Sequence, residues 1–300
     1  MRVLVTGATG FIGGRLTGSL AQRGMEVRCL VRDRRRAGAL QDAGHELHEG
    51  DVLDADSMRE AGEGVTTAYY LVHSMGRGTD RGGFAERERR AASNFARMAK
   101  EEGVERVVYL GGLGDERSEH LRSRAATAAT LAHEGPPLVY FRAGMVVGAG
   151  SESYRTVRYL VERLPAMIAP AWLRNRTQPI AIRDVLEYLA QAAERADAAG
   201  QEVQIGGPDV LTYSELLSLM AEVLGKRRRP QLPVPLLTPR LSSLWIGLVT
   251  PVDAGVARPL IESLASETIV TDPEPARLFD VQPMGCLEAL RLARAEEERG

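Results

Sequence analysis

Short, almost wholly apolar runs alternate with longer stretches of mixed polarity through the first half of this chain. The runs fall at residues 3–5, 27–31, 68–72, 106–110 and 138–141. Strands buried on both faces of a parallel sheet read this way. Between them, residues 11–23 place Ile12, Leu16 and Leu20 at helical spacing. Residues 83–102 form a charged helix with Phe84, Ala91, Phe95 and Met98 as its apolar stripe, ending at Gly103. Strand–helix–strand order at this spacing predicts right-handed crossovers and an α/β fold with a doubly wound parallel sheet.

After residue 150 the texture changes. Residues 151–164 and 184–198 read as helices, and 203–205 as a short strand before a Gly206-Gly207-Pro208 turn. Thr212 with Glu215 three residues on reads as a capping box opening a helix over 213–224. From Pro230 onward prolines punctuate the chain around an apolar segment at 241–264, and 287–299 reads as a charged helix. This predicts a core over 1–150 and a small, mainly helical C-terminal cap over 151–300, with segments near 177–207 returning to the core.

The strongest local signal is Thr6-Gly7-Ala8-Thr9-Gly10-Phe11-Ile12-Gly13, directly after the first strand and opening the first helix. Gly7 permits the tight turn, Gly10 lets backbone approach a diphosphate, and Gly13 allows close helix–strand packing. The helix start offers free N–H groups and a positive dipole to an anion. In that context the pattern predicts a Rossmann-type dinucleotide site lined by Gly7, Thr9, Gly10, Phe11, Ile12 and Gly13. The second strand runs into Arg32, with Arg34, Arg35 and Arg36 after it. Arg32 and Arg36 suit a ribose 2′-phosphate, which favours NADP(H) over NAD(H). Asp33, at the spacing of an NAD-type ribose acid, is the competing signal. Asp51 and Val52 follow the third strand and are expected at the adenine, while Asp54 reads as an N-cap.

Composition narrows the field. The 300 residues are 44% hydrophobic and 26% charged, with a formal net charge of −2. That balance gives no bulk basic field for nucleic acid. No apolar run approaches the ~20 residues of a membrane span. Met1 and Arg2 lead straight into a strand, so no secretory signal is read and a cytoplasmic protein is expected. Cys29 and Cys286 make neither a disulfide framework nor a metal cluster, and the five histidines show no ligand spacing. Lysine occurs only at Lys100 and Lys226, so arginine at a lysine position carries little information.

With these motifs the chain resembles the atypical short-chain dehydrogenase/reductases, in the NAD(P)H-binding, NmrA-like and YbjT-like branch. The resemblance rests on TGATGFIGG at 6–14, LVRD at 30–33, GDVLD at 50–54, YYLVHSM at 69–75, VVYLGGLG at 107–114, FRAGMVVGAGS at 141–151, QPIAIRDV at 178–185 and QIGGPDVLTYSELL at 204–217. It implies a Rossmann domain with a cap, NAD(P) binding, and a reductase, epimerase, dehydratase or cofactor sensor. It also implies Leu71, Val72, His73, Gly111, Gly112, Ala143 and Met145 near the nicotinamide end. The family's usual Ser or Thr, Tyr and Lys are missing. Gly111-Gly112 stand after the fifth strand, and the Tyr-x-x-Ser-Lys box reads His120-Leu121-Arg122-Ser123-Arg124.

Two readings follow. In one, His120 replaces the tyrosine as proton donor and Arg124 contacts the ribose, the spacing of four placing both on one helix face. In the other they are a polar helix start and a surface contact. Tyr69, Tyr70 and Tyr109 read as core. Tyr154 is a candidate substrate contact, or else a helix-surface or cap contact, and Arg183-Asp184 reads as a helix cap that docks the two lobes. The segment around Trp245 reads as a lid over a lipophilic small-molecule substrate, or else as cap core or a homodimer face. Arg155, Arg158, Arg174 and Arg176 form no nucleotide-sugar motif. The expected activity is reduction of a small, lipophilic carbonyl, enone or quinone by NADPH, against a non-catalytic NADP(H) sensor or an epimerase-like or dehydratase-like enzyme.

Overall fold

In the computed structural model, described for residues 1–72, 83–115, 119–163, 167–169, 171–227, 231–233 and 266–299, the apolar runs become one parallel sheet. Its strands are β1 (Arg2–Thr6), β2 (Glu26–Val31), β3 (Glu46–Glu49), β4 (Thr67–Tyr70), β5 (Arg106–Gly112), β6 (Leu138–Ala143) and an edge strand, Glu202–Ile205. The order is β3-β2-β1-β4-β5-β6-edge, with the order reversing between β1 and β4. In such sheets ligands bind beyond the carboxyl ends of the strands at that reversal.

Alternation along each strand divides the core into two layers. Val3, Val5, Cys29, Tyr69, Val139 and Phe141 face α1 (Phe11–Gln22) and α6 (Ile182–Glu194), meeting Leu16, Leu20, Val185 and Leu189. Leu4, Ala68, Tyr70, Val107 and Tyr109 face α3 (Phe84–Glu101) and α4 (Glu119–Glu134), meeting Phe95, Met98 and Leu131. β3 shows no apolar run in the sequence because it is an edge strand with only Leu47 buried. The edge strand pairs with β6 from Glu202↔Tyr140 to Ile205↔Ala143, so this segment and α6 lie in the core layers.

A separate apolar cluster builds the cap. Tyr154 and Leu160 of α5 (Glu152–Arg163), Leu216 and Met220 of α7 (Tyr213–Val223), and Ala289 and Leu290 of α8 (Cys286–Glu297) pack with Trp172. Thr212 and Glu215 form the expected capping box on α7. Asp184 does not cap α6, whose N-cap is Ala181 without a side-chain bond. It is 2% exposed and accepts from Met284 N at 2.8 Å, tying the segment before α8 to the core. The Gly206-Gly207 turn also makes a close crossing. A Cβ on Gly207 would lie 2.3 Å from the Pro179 carbonyl oxygen, and one on Gly206 would lie 2.7 Å from the Gln178 side chain.

Candidate functional site

The glycine loop sits where the sheet order reverses. Thr6 Oγ1 donates to the Tyr69 carbonyl at 3.0 Å and accepts from Leu71 N at 2.9 Å, stitching β1 to the end of β4. Gly7 has φ +65, and a Cβ there would lie 2.5 Å from the Leu71 carbonyl oxygen. A Cβ on Gly13 would lie 2.3 Å from the Gly7 carbonyl oxygen. Gly10 N donates to Gly7 O at 2.9 Å, and Gly10 starts α1 in an extended conformation with no side-chain cap. The first-turn amides therefore have no side-chain acceptor, and Thr9 and Gly10 are exposed beside them. Backbone donors, a dipole end and a cradle that any Cβ would fill fit a diphosphate. Phe11 is engaged by protein. Its ring packs against the 148–150 loop and under Arg15, whose guanidinium lies 4.6 Å from the ring centroid. Ile12 is half-buried and Gly13 buried.

At the end of β2 the structure separates the arginines. Asp33 accepts from Arg35 N at 2.9 Å and from Arg35 Nε at 3.2 Å, and lies 3.9 Å from Arg36 Nε. Arg34 donates to the Leu47 carbonyl at 2.8 Å. Arg32 is exposed and makes no hydrogen bond or ion pair among the described residues. The acid that competed for the NAD reading is thus occupied as the cap of its own turn, and Arg36 leans on that same acid.

Beyond β3, Asp51 Oδ1 accepts from Leu53 N at 2.9 Å, and Asp54 Oδ1 accepts from Asp56 N at 3.2 Å, so each folds its own turn. Val52 departs from the expected adenine contact. Its side chain is buried in the layer with Leu4, Leu30 and Tyr70, and its carbonyl accepts from Asn94 at 3.0 Å. Leu71 and Val72 are half-buried beside the glycine loop. His73 and Ser74 lie outside the described residues.

The expected reaction end lies on β5 and α4. Arg124 Nε donates to His120 Nε2 at 3.1 Å, and Arg124 Nη1 donates to the Leu110 carbonyl at 3.1 Å. The helical spacing of four does bring the pair together, at the carboxyl end of β5. Gly111 and Gly112 have neighbours that explain their lack of side chains. A Cβ on Gly111 would lie 2.7 Å from the Tyr140 hydroxyl, and one on Gly112 would lie 2.8 Å from Leu121 Cδ2. Tyr69, Tyr70 and Tyr109 are core residues, and burial pushes each phenol well above its usual range. Tyr69 spends its hydroxyl on the Leu189 carbonyl at 2.8 Å. Ala143 is buried and Met145 half-buried, and their carbonyls accept from Leu113 N and Ile180 N at 2.8 and 2.9 Å.

Of the two readings of Tyr154, its surroundings fit the cap contact and not the substrate contact. It has 0% exposure, and its hydroxyl donates to Glu297 on α8 at 3.1 Å, a carboxylate shared with Arg158 at 2.9 Å. That is a cap-packing residue, out of reach of a substrate. Arg155 pairs with Glu152 and Arg176 with Glu267, within the cap. Trp245 and the 241–264 segment lie outside the described residues.

Sequence reasoning missed Arg15, and it gave the side chains of Thr6 and Arg142 no role. Arg15 donates to the Ala149 carbonyl at 2.8 Å, joining the phosphate helix to the loop before α5. Arg142 donates to two carbonyls of the bend after β5. Both act on backbone carbonyls, which leave no pattern in the sequence. Among the described residues no cluster of three His, Cys, Asp or Glu side chains could hold a metal ion. No helix among them is long and apolar enough to cross a membrane.

Comparison with known proteins places this geometry. The model of the NmrA-like family matches residues 1–247. The mitochondrial NADH dehydrogenase (ubiquinone) 1 alpha subcomplex subunit 9 of Rattus norvegicus is 25% identical over 308 residues, covering 97% of this chain and 80% of that protein. Among solved structures, the NADPH-dependent quinone oxidoreductase QOR2 of Escherichia coli, complexed with NADPH, superposes with a TM-score of 0.77. It is 19% identical over 96% of this chain and 98% of its own. The triphenylmethane reductase of Citrobacter sp., complexed with NADP(H), gives a TM-score of 0.75, at 16% identity over 98% of this chain and 100% of its own. At these identities the structural likeness is one of fold.

Proposed function

This chain belongs to the NmrA-like family, and from that premise we propose that it is an NADP(H)-dependent reductase of a small, lipophilic carbonyl, enone or quinone. The observation that carries the reading is the Arg124–His120 pair fixed at the carboxyl end of β5, on the same rim of the sheet as an intact glycine loop. When bound, the reduced nicotinamide supplies a hydride. Everything else falls to this chain's residues. The first-turn amides of α1 hold the diphosphate, and Arg32 holds the 2′-phosphate as a charge-assisted donor with no competing protein partner. Arg124 faces the nicotinamide ribose.

His120 has a narrower part than a tyrosine would. Because Arg124 Nε can only donate, His120 Nε2 accepts, and the neutral ring carries its proton on Nδ1. A neutral imidazole gives up that proton poorly, but it donates a strong hydrogen bond. His120 Nδ1–H therefore draws charge onto the substrate oxygen, and water supplies the proton. The test is oxidation of NADPH by a panel of quinones, enones and ketones, with His120→Phe alongside. Turnover should fall by about 100-fold in the variant while NADPH affinity stays within about twofold. Unchanged turnover in the variant would remove His120 from the chemistry.

One observation favours a second reading, a non-catalytic NADP(H)-binding redox sensor. The Ser, Tyr and Lys positions hold Gly111-Gly112, His120 and Arg124, and Tyr69, Tyr70 and Tyr109 near this end are sealed in the core. The rat relative bears the name of a subunit of a larger complex. Tight NADPH binding without oxidation across the panel would support the sensor.

A further inference from the structure

We propose that Arg142 is a positioning residue that sets the backbone of the 112–114 bend and thereby the nicotinamide end of the cleft. The proposal rests on the reading above in that this bend borders the nicotinamide. Arg142 lies opposite Gly111 in the β5–β6 register. Its guanidinium divides among three acceptors. Nε donates to the Gly112 carbonyl at 3.2 Å, Nη2 to the Gly114 carbonyl at 2.9 Å, and Nη1 to Glu202 Oε1 on the edge strand at 2.9 Å. A planar fork reaches three such acceptors from three separate nitrogens, whereas an ammonium must reach them from one.

Glycine stands at 112 and 114, and Gly114 has φ +118, a conformation that other residues rarely adopt. A Cβ at either position would press on Leu121, at 2.8 and 3.0 Å. Leu113 N donates to the Ala143 carbonyl at 2.8 Å, tying the bend to the end of β6. Leu121 follows His120 on α4, so the bend and the first turn of α4 rest on one another. Where the family resemblance puts a hydroxyl, this chain offers backbone polar groups, and their direction follows from where Arg142 holds the two carbonyls. An open groove of about 460 Å³ beside α4 is lined by Gly112, Gly114, Leu121, Arg142 and Glu202. The guanidinium thus has water on one flank, and an uncharged replacement meets no tight core.

The experiment uses the full chain with Arg142→Met, Arg142→Lys and Glu202→Gln. Three quantities are read: melting temperature, NADPH affinity, and the emission of the bound reduced nicotinamide. Turnover is added where a substrate is known. Arg142→Met should leave affinity within about threefold, since the diphosphate and 2′-phosphate contacts are elsewhere, while emission enhancement falls at least about twofold and turnover about tenfold. Arg142→Lys should recover part of the loss, and Glu202→Gln should cost least because both carbonyl bonds remain. Unchanged emission in Arg142→Met would overturn the proposal. So would affinity, emission and turnover falling together with the melting temperature, which would mark a merely structural residue. If the wild-type protein binds NADPH but oxidises it with none of the panel, the reductase reading fails, and the emission readout still decides the role of Arg142.

Discussion

Two strand ends on one rim of the sheet carry glycine for different reasons. At the end of β1, Cβ atoms on Gly7 and Gly13 would lie 2.5 and 2.3 Å from backbone carbonyl oxygens. Those oxygens belong to the β1–β4 junction and to the turn that starts α1, so neither can step aside alone. At the end of β5, Cβ atoms on Gly111 and Gly112 would meet the Tyr140 ring and Leu121 at 2.7 and 2.8 Å. Side chains can turn about their own bonds, at modest cost. The glycine loop is therefore written into backbone geometry, and the end of β5 into replaceable side chains. That division lets one fold keep its cofactor loop while its chemistry changes.

The contrast can be broken at either end. Gly13→Ala should have the largest effect, costing roughly 3 kcal/mol or more, because the relief must come from backbone. It should also weaken NADPH binding by roughly 100-fold, read by thermal melts and titration. A variant that melts and binds as the wild type would show that α1 can shift freely. Gly112→Ser, which restores the family's hydroxyl, should cost about 1.5 kcal/mol as Leu121 moves, with NADPH affinity within about threefold. A loss equal to that of Gly13→Ala would erase the distinction between the two ends. Thr212→Ala removes half of the α7 capping box and should cost about 1 kcal/mol with cofactor affinity unchanged. An affinity change there would couple the cap to the nucleotide loop.

The smallest effect at neutral pH belongs to the thiols. Burial alone pushes Cys29 from 9.0 up to about 12, and burial with nearby Asp209 does the same for Cys286. Both raised values favour the folded state below about pH 9, and that contribution is lost as pH climbs from 9 toward 12. Labelling at pH 8 should therefore modify neither cysteine until the protein unfolds. Rapid labelling of the native protein would show that one of the two elements opens locally.

Much of this was legible in the sequence. The doubly wound sheet followed from apolar runs, because strands covered on both faces have no polar positions to hide. The glycine loop was legible because φ and close approach restrict the residue type at Gly7, Gly10 and Gly13. The His120–Arg124 contact followed from helical spacing. Val52 was not legible as core, since its burial depends on α3, distant in sequence; Tyr154 was left between substrate and cap, and only its contact with α8 decides for the cap. Asp33, which reads as a competing ribose acid, also caps its own turn, a role the spacing alone does not show. Arg15 and Arg142 bond to carbonyl oxygens, which every residue has, so no pattern marks them.

The central claim is an NADP-selective dinucleotide site at the ends of β1 and β2, and the most direct test is paired titration of NADP and NAD into wild type and Arg32→Ala. Loss of one charge-assisted contact should lower NADP affinity by about 10- to 100-fold while NAD affinity stays within about twofold. Equal losses for the two cofactors, or none for either, would contradict the assignment of Arg32 to the 2′-phosphate.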